Sequence, residues 1–263
     1  ECLIITEEGA AMISVKSRSE LEKMRKAGII AGNALHFGGQ SIKVGMTTYE
    51  LDKIIHDYIV KHGATPSFLG YGGFPASACI SINNKVIHGI PSKHEHIKDG
   101  DIVSIDVGAY IDGFHGDTAY TFAVGNVSEE AAQLLKVTKE GLFKGIEQAV
   151  PGNRVGDISH AVEEYCSSYG YGIVKNYVGH GVGAKLHESP EVPNFGKAGR
   201  GPRLVAGMTI AIEPMINAVG EDVKVLPDGW TVLTKSGSLS AHFEHSVAIT
   251  SEGPVILTMP TIV

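Results

Sequence analysis

The chain has 263 residues, 43% of them hydrophobic, and a formal net charge of −7 at pH 7. This length is enough for one large domain or two small ones with a buried core, and the longest apolar runs fall short of a membrane span. The acidic balance argues against direct binding of nucleic acid or of membrane surfaces. The three cysteines are widely spaced and odd in number, which favours a reducing compartment such as the cytoplasm over a disulfide framework.

The first eleven residues carry no signal-peptide pattern, because they lack a basic start and a long apolar centre. We interpret Met12 as a natural start and residues 1–11 as an extension that could be non-native, and we leave them out of the fold prediction.

Two segments that follow carry the signals of a helix N-terminus. Ser17-Arg-Ser-Glu20 and Thr47-Thr-Tyr-Glu50 both fit the capping box, in which a hydroxyl and a carboxylate three residues apart satisfy free backbone N–H groups. Each therefore predicts the start of a helix of about 15–20 residues.

The chain resembles itself at an offset of 107 residues, which places Gly100–Asp106 over Gly207–Glu213. In each copy a helical region precedes a strand that ends in an acid. Chance similarity between two short segments is the alternative, since one offset cannot exclude it. We predict a single catalytic domain over 12–263, built of pseudo-repeat halves at about 12–120 and 121–263.

Apolar alternation and β-branched residues between turn signals predict the strands. The candidates cover about 78–83, 102–111, 114–124, 173–177, 208–213, 230–234 and 242–250. Together with the helices they predict an α+β fold, with helices on the outer face of a central antiparallel sheet and the acids near a pseudo-twofold axis.

Two aspartates flank the predicted hairpin between the second and third of these strands. The pair Asp112-Gly113 is a strong signal for a two-residue turn. Asp106 then pairs with Ala119, two residues beyond Asp117, so the two acids become diagonal neighbours about 7 Å apart at Cβ. Carboxylates placed in this way repel each other unless a cation lies between them. A three-residue turn would instead put them on opposite faces of the hairpin.

The second half of the chain supplies further acids and histidines, namely His180, His187, Glu213 and Glu244. Four carboxylates in one cavity would cost about 4 kcal/mol per close pair at an effective dielectric constant of 20. Two divalent cations would cancel the four charges, and neutral His180 could complete the ligand set. Oxygen and nitrogen donors without thiolate suit Mn²⁺, Fe²⁺, Co²⁺ or Zn²⁺. The histidines other than His88, His180 and His187, nine in all, are expected to be solvated or packing residues.

Five motifs follow one another along the chain: Asp106 with Asp117, Ile87-His-Gly-Ile-Pro91, Gly179-His-Gly-Val-Gly with His187-Glu188, Ile212-Glu-Pro-Met215 and Phe243-Glu-His245. Their combination resembles the methionine aminopeptidases of the bacterial type I class, from about Met12 to the C-terminus. The resemblance implies a pita-bread fold of two pseudo-symmetric halves and two divalent metal cations (Co, Mn, Fe or Zn).

The resemblance also implies roles for individual residues. Asp106 would bind one metal, His180 and Glu213 would bind the other, and Asp117 and Glu244 would bridge both. Catalytic roles fall to His88, His187 and Glu213, and substrate contacts to His88, His187, Phe68, Tyr71, Phe74, Cys79 and Trp230. Leu186 departs from the aromatic residue that well-known members carry at this position.

The implied function is removal of the initiator methionine from nascent proteins whose second residue is small. We expect a cytoplasmic monomer that meets its substrates at or near the ribosome and binds neither nucleic acid nor membrane directly. Two alternatives remain open: an Xaa-Pro peptidase or creatinase-like hydrolase of the same fold, and a non-catalytic binding protein on that scaffold. The last should have lost metal ligands, whereas all five ligand positions here hold the family's residue type.

Overall fold

A computed structural model describes residues 2–4 and 12–262. These residues form four α-helices: α1 (Arg18–Gln40), α2 (Thr48–Lys61), α3 (Glu129–Glu147) and α4 (Val155–Ser167). A single 3₁₀ turn covers Tyr71–Gly73. The strands are β1 (Cys2–Ile4), β2 (Ile13–Val15), β3 (Thr65–Pro66), β4 (Ala78–Ile82), β5 (Lys85–Ile87), β6 (Ile102–Ile111), β7 (Phe114–Ala123), β8 (Gly172–Ile173), β9 (Gly179–Gly181), β10 (Glu188–Val192), β11 (Thr209–Ile212), β12 (Met215–Asn217), β13 (Val223–Val225), β14 (Val232–Thr234), β15 (Ser240–His242), β16 (Glu244–Thr250) and β17 (Gly253–Ile256).

The predicted extension at 1–11 lies mostly outside the described residues. Within it the backbone of β1 pairs with β2. The interpretation of this segment as non-native, and that of one catalytic domain, stay predictions.

Both predicted capping boxes are present. The Ser17 hydroxyl accepts the Glu20 backbone N–H, and the Glu20 carboxylate accepts the Ser17 N–H at 2.7 Å. Thr47 and Glu50 repeat this arrangement at the start of α2. Each cap stabilises its helix by about 1 kcal/mol, because it satisfies N–H groups that have no partner within the helix.

The helices recur at the predicted offset. The starts of α2 and α4 lie 107 residues apart, as do the ends of α1 and α3. The glycines that precede β6 and β11, Gly100 and Gly207, have φ angles of +87° and +94°, a conformation that costs other residues about 1 kcal/mol or more. The two halves therefore share their helices, the turn before the strand and the strand itself.

One curved antiparallel sheet joins the two halves. Its strands lie in the order β10-β9-β11-β16-β7-β6-β3, with β17 also on β16 and β4 also on β6. The halves meet where β16 pairs with β7, through Glu244 opposite Ala119 and His245 opposite Thr118. Because β6 and β11 flank this seam, Asp106 within β6 and Glu213 directly after β11 come to the middle of the sheet.

Two apolar clusters hold the helices against the sheet. In the first half Leu51, Ile55 and Ile59 of α2 are fully buried against α1 and β4. In the second half α3 and α4 bury a matching cluster that includes Ile158. Complete burial of one such side chain contributes about 1.5–3 kcal/mol, so the outer face anchors the scaffold while the inner face is left for polar groups.

Two predicted strands are wrong in detail. The strand expected over 173–177 is only Gly172–Ile173, since the sheet partner of β8 is the three-residue strand β12 and Lys175 already lies exposed. The strand expected over 242–250 is broken at Phe243. Its first part, β15, pairs with β12, and its second part, β16, pairs with β11 and β7. Among the described residues no helix is both long and apolar enough to cross a membrane.

Candidate active site

The first two acids are placed by the β6–β7 hairpin, in the predicted register. Asp106 pairs with Ala119 and Gly108 with Asp117. The turn residues Asp112 and Gly113 both have positive φ, +54° and +88°, as a two-residue hairpin turn requires. Because directly paired residues share a face, Asp106 and Asp117 project to the same side of the hairpin as diagonal neighbours.

The second half places two acids and a histidine opposite this pair. Glu213 directly follows β11, and Glu244 begins β16 beside β7. His180 lies on β9, paired with Ala211 of β11. Ligand atoms of Asp117, His180 and Glu244 all lie within 4.8 Å of one another. The pairing of β16 with β7 thus helps to bring these three residues, each more than 60 positions from the next in sequence, into one cluster.

Distances to His180 show how tight the cluster is. Its Nε2 lies 3.8 Å from Asp117 Oδ2 and 3.5 Å from Glu213 Oε1. Its Nδ1 lies 2.8 Å from the carbonyl oxygen of Gly181. Since a carbonyl can only accept, Nδ1 carries the proton and Nε2 presents a lone pair to the acids. This is the tautomer and orientation of a metal-binding histidine.

Burial dominates the electrostatics of the acids. It raises the pKa of Asp117 to about 7. Burial, and then the neighbouring carboxylates, raise the pKa values of Asp106, Glu213 and Glu244 well above their ordinary range. Asp117 and Glu244 are almost wholly covered, whereas Asp106 and Glu213 keep some contact with the cavity. Without a cation the cluster therefore favours protonated, neutral acids.

The residues present fit divalent metal ions. One oxygen each of Asp106, Asp117 and Glu244 is buried with no hydrogen-bond partner in the described part of the chain. Burial of such atoms is costly unless an ion or water satisfies them. Burial, together with nearby His187, lowers the pKa of His180 to about 3, so its imidazole is neutral and able to bind a metal. Four carboxylates and one imidazole form an oxygen and nitrogen donor set without thiolate.

An apolar pocket of about 230 Å³ opens above the acids. Every residue that the sequence predicted for metal binding, catalysis or substrate contact lines it. The lining residues are Phe68, Tyr71, Phe74, Cys79, His88, Asp106, Asp117, His180, Leu186, His187, Glu213, Trp230 and Glu244. A wider depression of about 530 Å³ beside the start of α4 contains none of these acids and histidines. The chemistry is therefore concentrated in the smaller pocket.

The pocket walls are aromatic and hold two histidines. Phe74 and Trp230 pack edge to face, with ring centroids 5.2 Å apart. The Tyr71 hydroxyl lies 2.8 Å from His187 Nδ1, which fixes the orientation of that ring. His88 has a strained backbone, with φ of +57°. Its ring lies nearly perpendicular to that of Trp230, with ring centroids 6.3 Å apart. Burial, and then His187, lower the pKa of His88 to about 4.

The sequence prediction left out one histidine that lies in the cluster. His242 was grouped with the solvated or packing histidines; it is indeed buried, but its Nε2 also lies 3.4 Å from Glu213 Oε2. Its ligand atoms fall within 4.8 Å of those of Glu213 and Glu244. The signal available in the sequence was its place two residues before Glu244 on one strand face.

The chain belongs to the metallopeptidase family M24, whose family pattern matches residues 22–251. Within this family it is similar to methionine aminopeptidases. That of Clostridium acetobutylicum is 56% identical over 248 residues, which cover 94% of this chain and 99% of that protein. Methionine aminopeptidase 1 of Bacillus subtilis is 49% identical over 247 residues, again 94% and 99% of the two chains.

Solved structures agree with this relationship. The methionine aminopeptidase from Thermotoga maritima has a TM-score of 0.92 at 45% identity, and the match covers 94% of this chain and 99% of that one. The prolidase from Pyrococcus horikoshii has a TM-score of 0.75 at 25% identity, but the match covers only 63% of that chain. These comparisons confirm the predicted resemblance, the pita-bread fold and the prediction of an enzyme, a hydrolase of the aminopeptidase kind.

Proposed function

We propose that this enzyme uses two divalent cations to remove the N-terminal methionine from polypeptides whose second residue is small. The observation that carries the proposal is the convergence of four carboxylates, two of them buried, and His180 on the floor of an apolar pocket. The naming of its relatives as methionine aminopeptidases supports the choice of substrate.

In this proposal the ligand set divides between two ions. Asp106 would hold one ion, His180 and Glu213 would hold the other, and Asp117 and Glu244 would contribute to both. Four negative charges then face four positive ones, which relieves the repulsion between the acids. The unpartnered buried oxygens of Asp106, Asp117 and Glu244 support metal binding by these acids. The donor set suits Co²⁺, Mn²⁺, Fe²⁺ or Zn²⁺.

When bound, such paired ions lower the pKa of water and polarise a peptide carbonyl. The side chains supply the remaining steps. His187 and His88, held by Tyr71 and by the aromatic wall, donate hydrogen bonds to the developing oxyanion or to the amide nitrogen. Glu213 accepts a proton from the attacking water and delivers it to the leaving amine.

The shape and polarity of the pocket select the first residue of the substrate. Phe68, Tyr71, Phe74, Cys79 and Trp230 offer no countercharge, so a charged side chain would lose several kcal/mol of hydration there. A methionine side chain would instead gain up to about 1 kcal/mol from each sulfur–aromatic contact.

We further propose that the substrates are the N-termini of nascent chains, met in the cytoplasm at or near the ribosome, and that the enzyme works as a monomer. Two free buried thiols, Cys79 and Cys166, support a reducing compartment.

One other activity has an observation in its favour. The structural similarity to the prolidase from Pyrococcus horikoshii is compatible with Xaa-Pro peptidase activity. Because this chain matches only 63% of that prolidase, while it matches nearly the whole of the methionine aminopeptidases, the methionine substrate is favoured.

The test is an assay of metal-stripped protein on Met-Ala-Ser, Ala-Pro-Ala and creatine, with each metal restored in turn. Cleavage of Met-Ala-Ser alone is expected. Cleavage of Ala-Pro-Ala in its place would establish the prolidase-like activity. Metal binding without turnover of any substrate would establish a binding protein.

A further inference from the structure

A buried histidine lies against Glu213 and has no part in the mechanism above. His242, at the end of β15, is 1% exposed. Neither of its ring nitrogens has a hydrogen-bond partner among the described residues. A buried polar ring without a partner is costly, and the charged group within reach is the Glu213 carboxylate, 3.4 Å from Nε2.

The backbone of His242 is held by contacts on two sides. Its N–H donates to the Thr121 hydroxyl at 2.9 Å, and that hydroxyl donates to the His242 carbonyl oxygen at 2.8 Å. On the other side His242 pairs with Met215 of β12. These contacts tie the residue to β7 and to the strand that follows Glu213, so the ring has few ways to move away from the carboxylate.

The two oxygens of Glu213 face two different imidazoles. Oε1 lies 3.5 Å from Nε2 of His180, which carries a lone pair because Nδ1 donates to Gly181. On that side two lone pairs face each other, so either a proton or a cation must lie between them. Oε2 lies beside Nε2 of His242, and within the described part of the chain no carbonyl accepts from Nδ1 to fix the other tautomer. A proton on Nε2 gives Oε2 a donor and leaves Oε1 for the cation.

We propose that His242 is a positioning residue for Glu213. Its neutral imidazole directs Nε2–H towards Oε2 and keeps Oε1 turned towards His180, with which it would hold an ion. This inference rests on the proposed function, since it assigns Glu213 to a metal. A partner that orients a metal ligand typically contributes 10–100-fold to metal affinity.

A partly buried histidine nearby provides a control. His245 lies three residues further on and faces the opposite side of the sheet. Its Nδ1 lies 2.9 Å from the Thr258 hydroxyl, and its ring contacts Phe143 edge to face. Removing it tests the loss of a packed, hydrogen-bonded imidazole from this region without changing the contacts of Glu213.

The experiment titrates Mn²⁺ into metal-stripped protein by calorimetry, with thermal unfolding of each variant measured alongside. His242→Leu is expected to weaken binding at one of the two sites by about 10–100-fold. His242→Gln should restore most of that affinity, because its carboxamide can donate to the same oxygen. His245→Leu should lower the Tm and leave Mn²⁺ affinity unchanged. If His242→Leu does not fold, His242→Met takes its place as the variant without a donor.

Unchanged Mn²⁺ affinity in the variant without a donor would overturn the inference. So would an equal loss in His242→Gln, because the donated hydrogen bond would then be irrelevant. The proposed function is judged separately, by cleavage of Met-Ala-Ser by the wild-type protein. If the wild-type protein bound Mn²⁺ tightly without cleaving the peptide, the proposed function would be refuted. The Mn²⁺ affinities of the variants could still be compared with that of the wild type, so the role of His242 would still be tested.

Discussion

Replacement of Asp117 with asparagine removes one buried acid and keeps its shape. In the metal-free protein, burial raises the pKa of Asp117 from its ordinary value of 3.8 to about 7. The folded protein therefore holds this proton to a higher pH than the unfolded chain does. The contribution of Asp117 to folding is intact below pH 3.8 and is lost as the pH rises towards 7. Asparagine has no such proton to lose.

The magnitude follows from the difference between the two pKa values. Each pKa unit corresponds to about 1.4 kcal/mol, so Asp117 costs the metal-free protein about 4 kcal/mol above pH 7. About 2–3 kcal/mol of this change falls between pH 5 and 7.5. The free energy of unfolding of Asp117→Asn, minus that of the wild type, should rise by this amount over that interval.

Urea unfolding with a chelator present measures this difference at several pH values. Subtraction of the wild-type values removes the opposite trend of the buried histidines, whose pKa values are lowered by burial. Asp57→Asn is the control, because Asp57 is exposed beside Lys53 and such a surface pair contributes at most about 1 kcal/mol. A difference for Asp117→Asn that stays flat or falls with pH would refute the reasoning.

Three further predictions concern the metals and the substrate. Glu244→Ala should lose or greatly weaken metal binding in calorimetric titrations, because Glu244 is proposed to hold both ions; two full-affinity metals in this variant would disprove the bridge. His187→Ala and His88→Ala should keep their metals and lose about 10²–10³-fold in kcat, if each donates one hydrogen bond to the transition state; loss of metal from either would make it a ligand. Met-Ala-Ser and norleucine-Ala-Ser should show far higher kcat/KM than Lys-Ala-Ser, Met-Leu-Ser or N-acetyl-Met-Ala-Ser, and efficient cleavage of the lysine or acetylated peptide would contradict the proposed pocket.

The local parts of the fold could be predicted because short stretches of sequence determine them. The capping boxes need only a hydroxyl and a carboxylate three residues apart, and both are present. The hairpin register depends on the turn Asp112-Gly113 and on side-chain alternation, which placed Asp106 and Asp117 on one face. The repeat offset extended this logic to Glu213, since it aligns the two strand ends.

The prediction was less successful where a segment's partner lies far along the chain. Alternation continues smoothly through residues 242–250, yet the strand breaks at Phe243. The N–H of Phe243 donates a hydrogen bond to the carbonyl oxygen of Pro214. At this point the chain passes from one sheet to another. No feature of the local sequence specifies that exchange of partners.

By itself the sequence determined the helix starts, the hairpin register, the donor chemistry of the acids and histidines, and the family to which they belong. These depend on residue type and on spacing over a few positions, or on one repeated pattern. Only the tertiary structure decided which groups touch: that β16 lies against β7, that the pocket closes over the acids, and that His242 approaches Glu213. The reason is that distances between side chains from separate strands depend on how the two halves pack, and burial, which raises the pKa of Asp117 to about 7, arises only once they have packed.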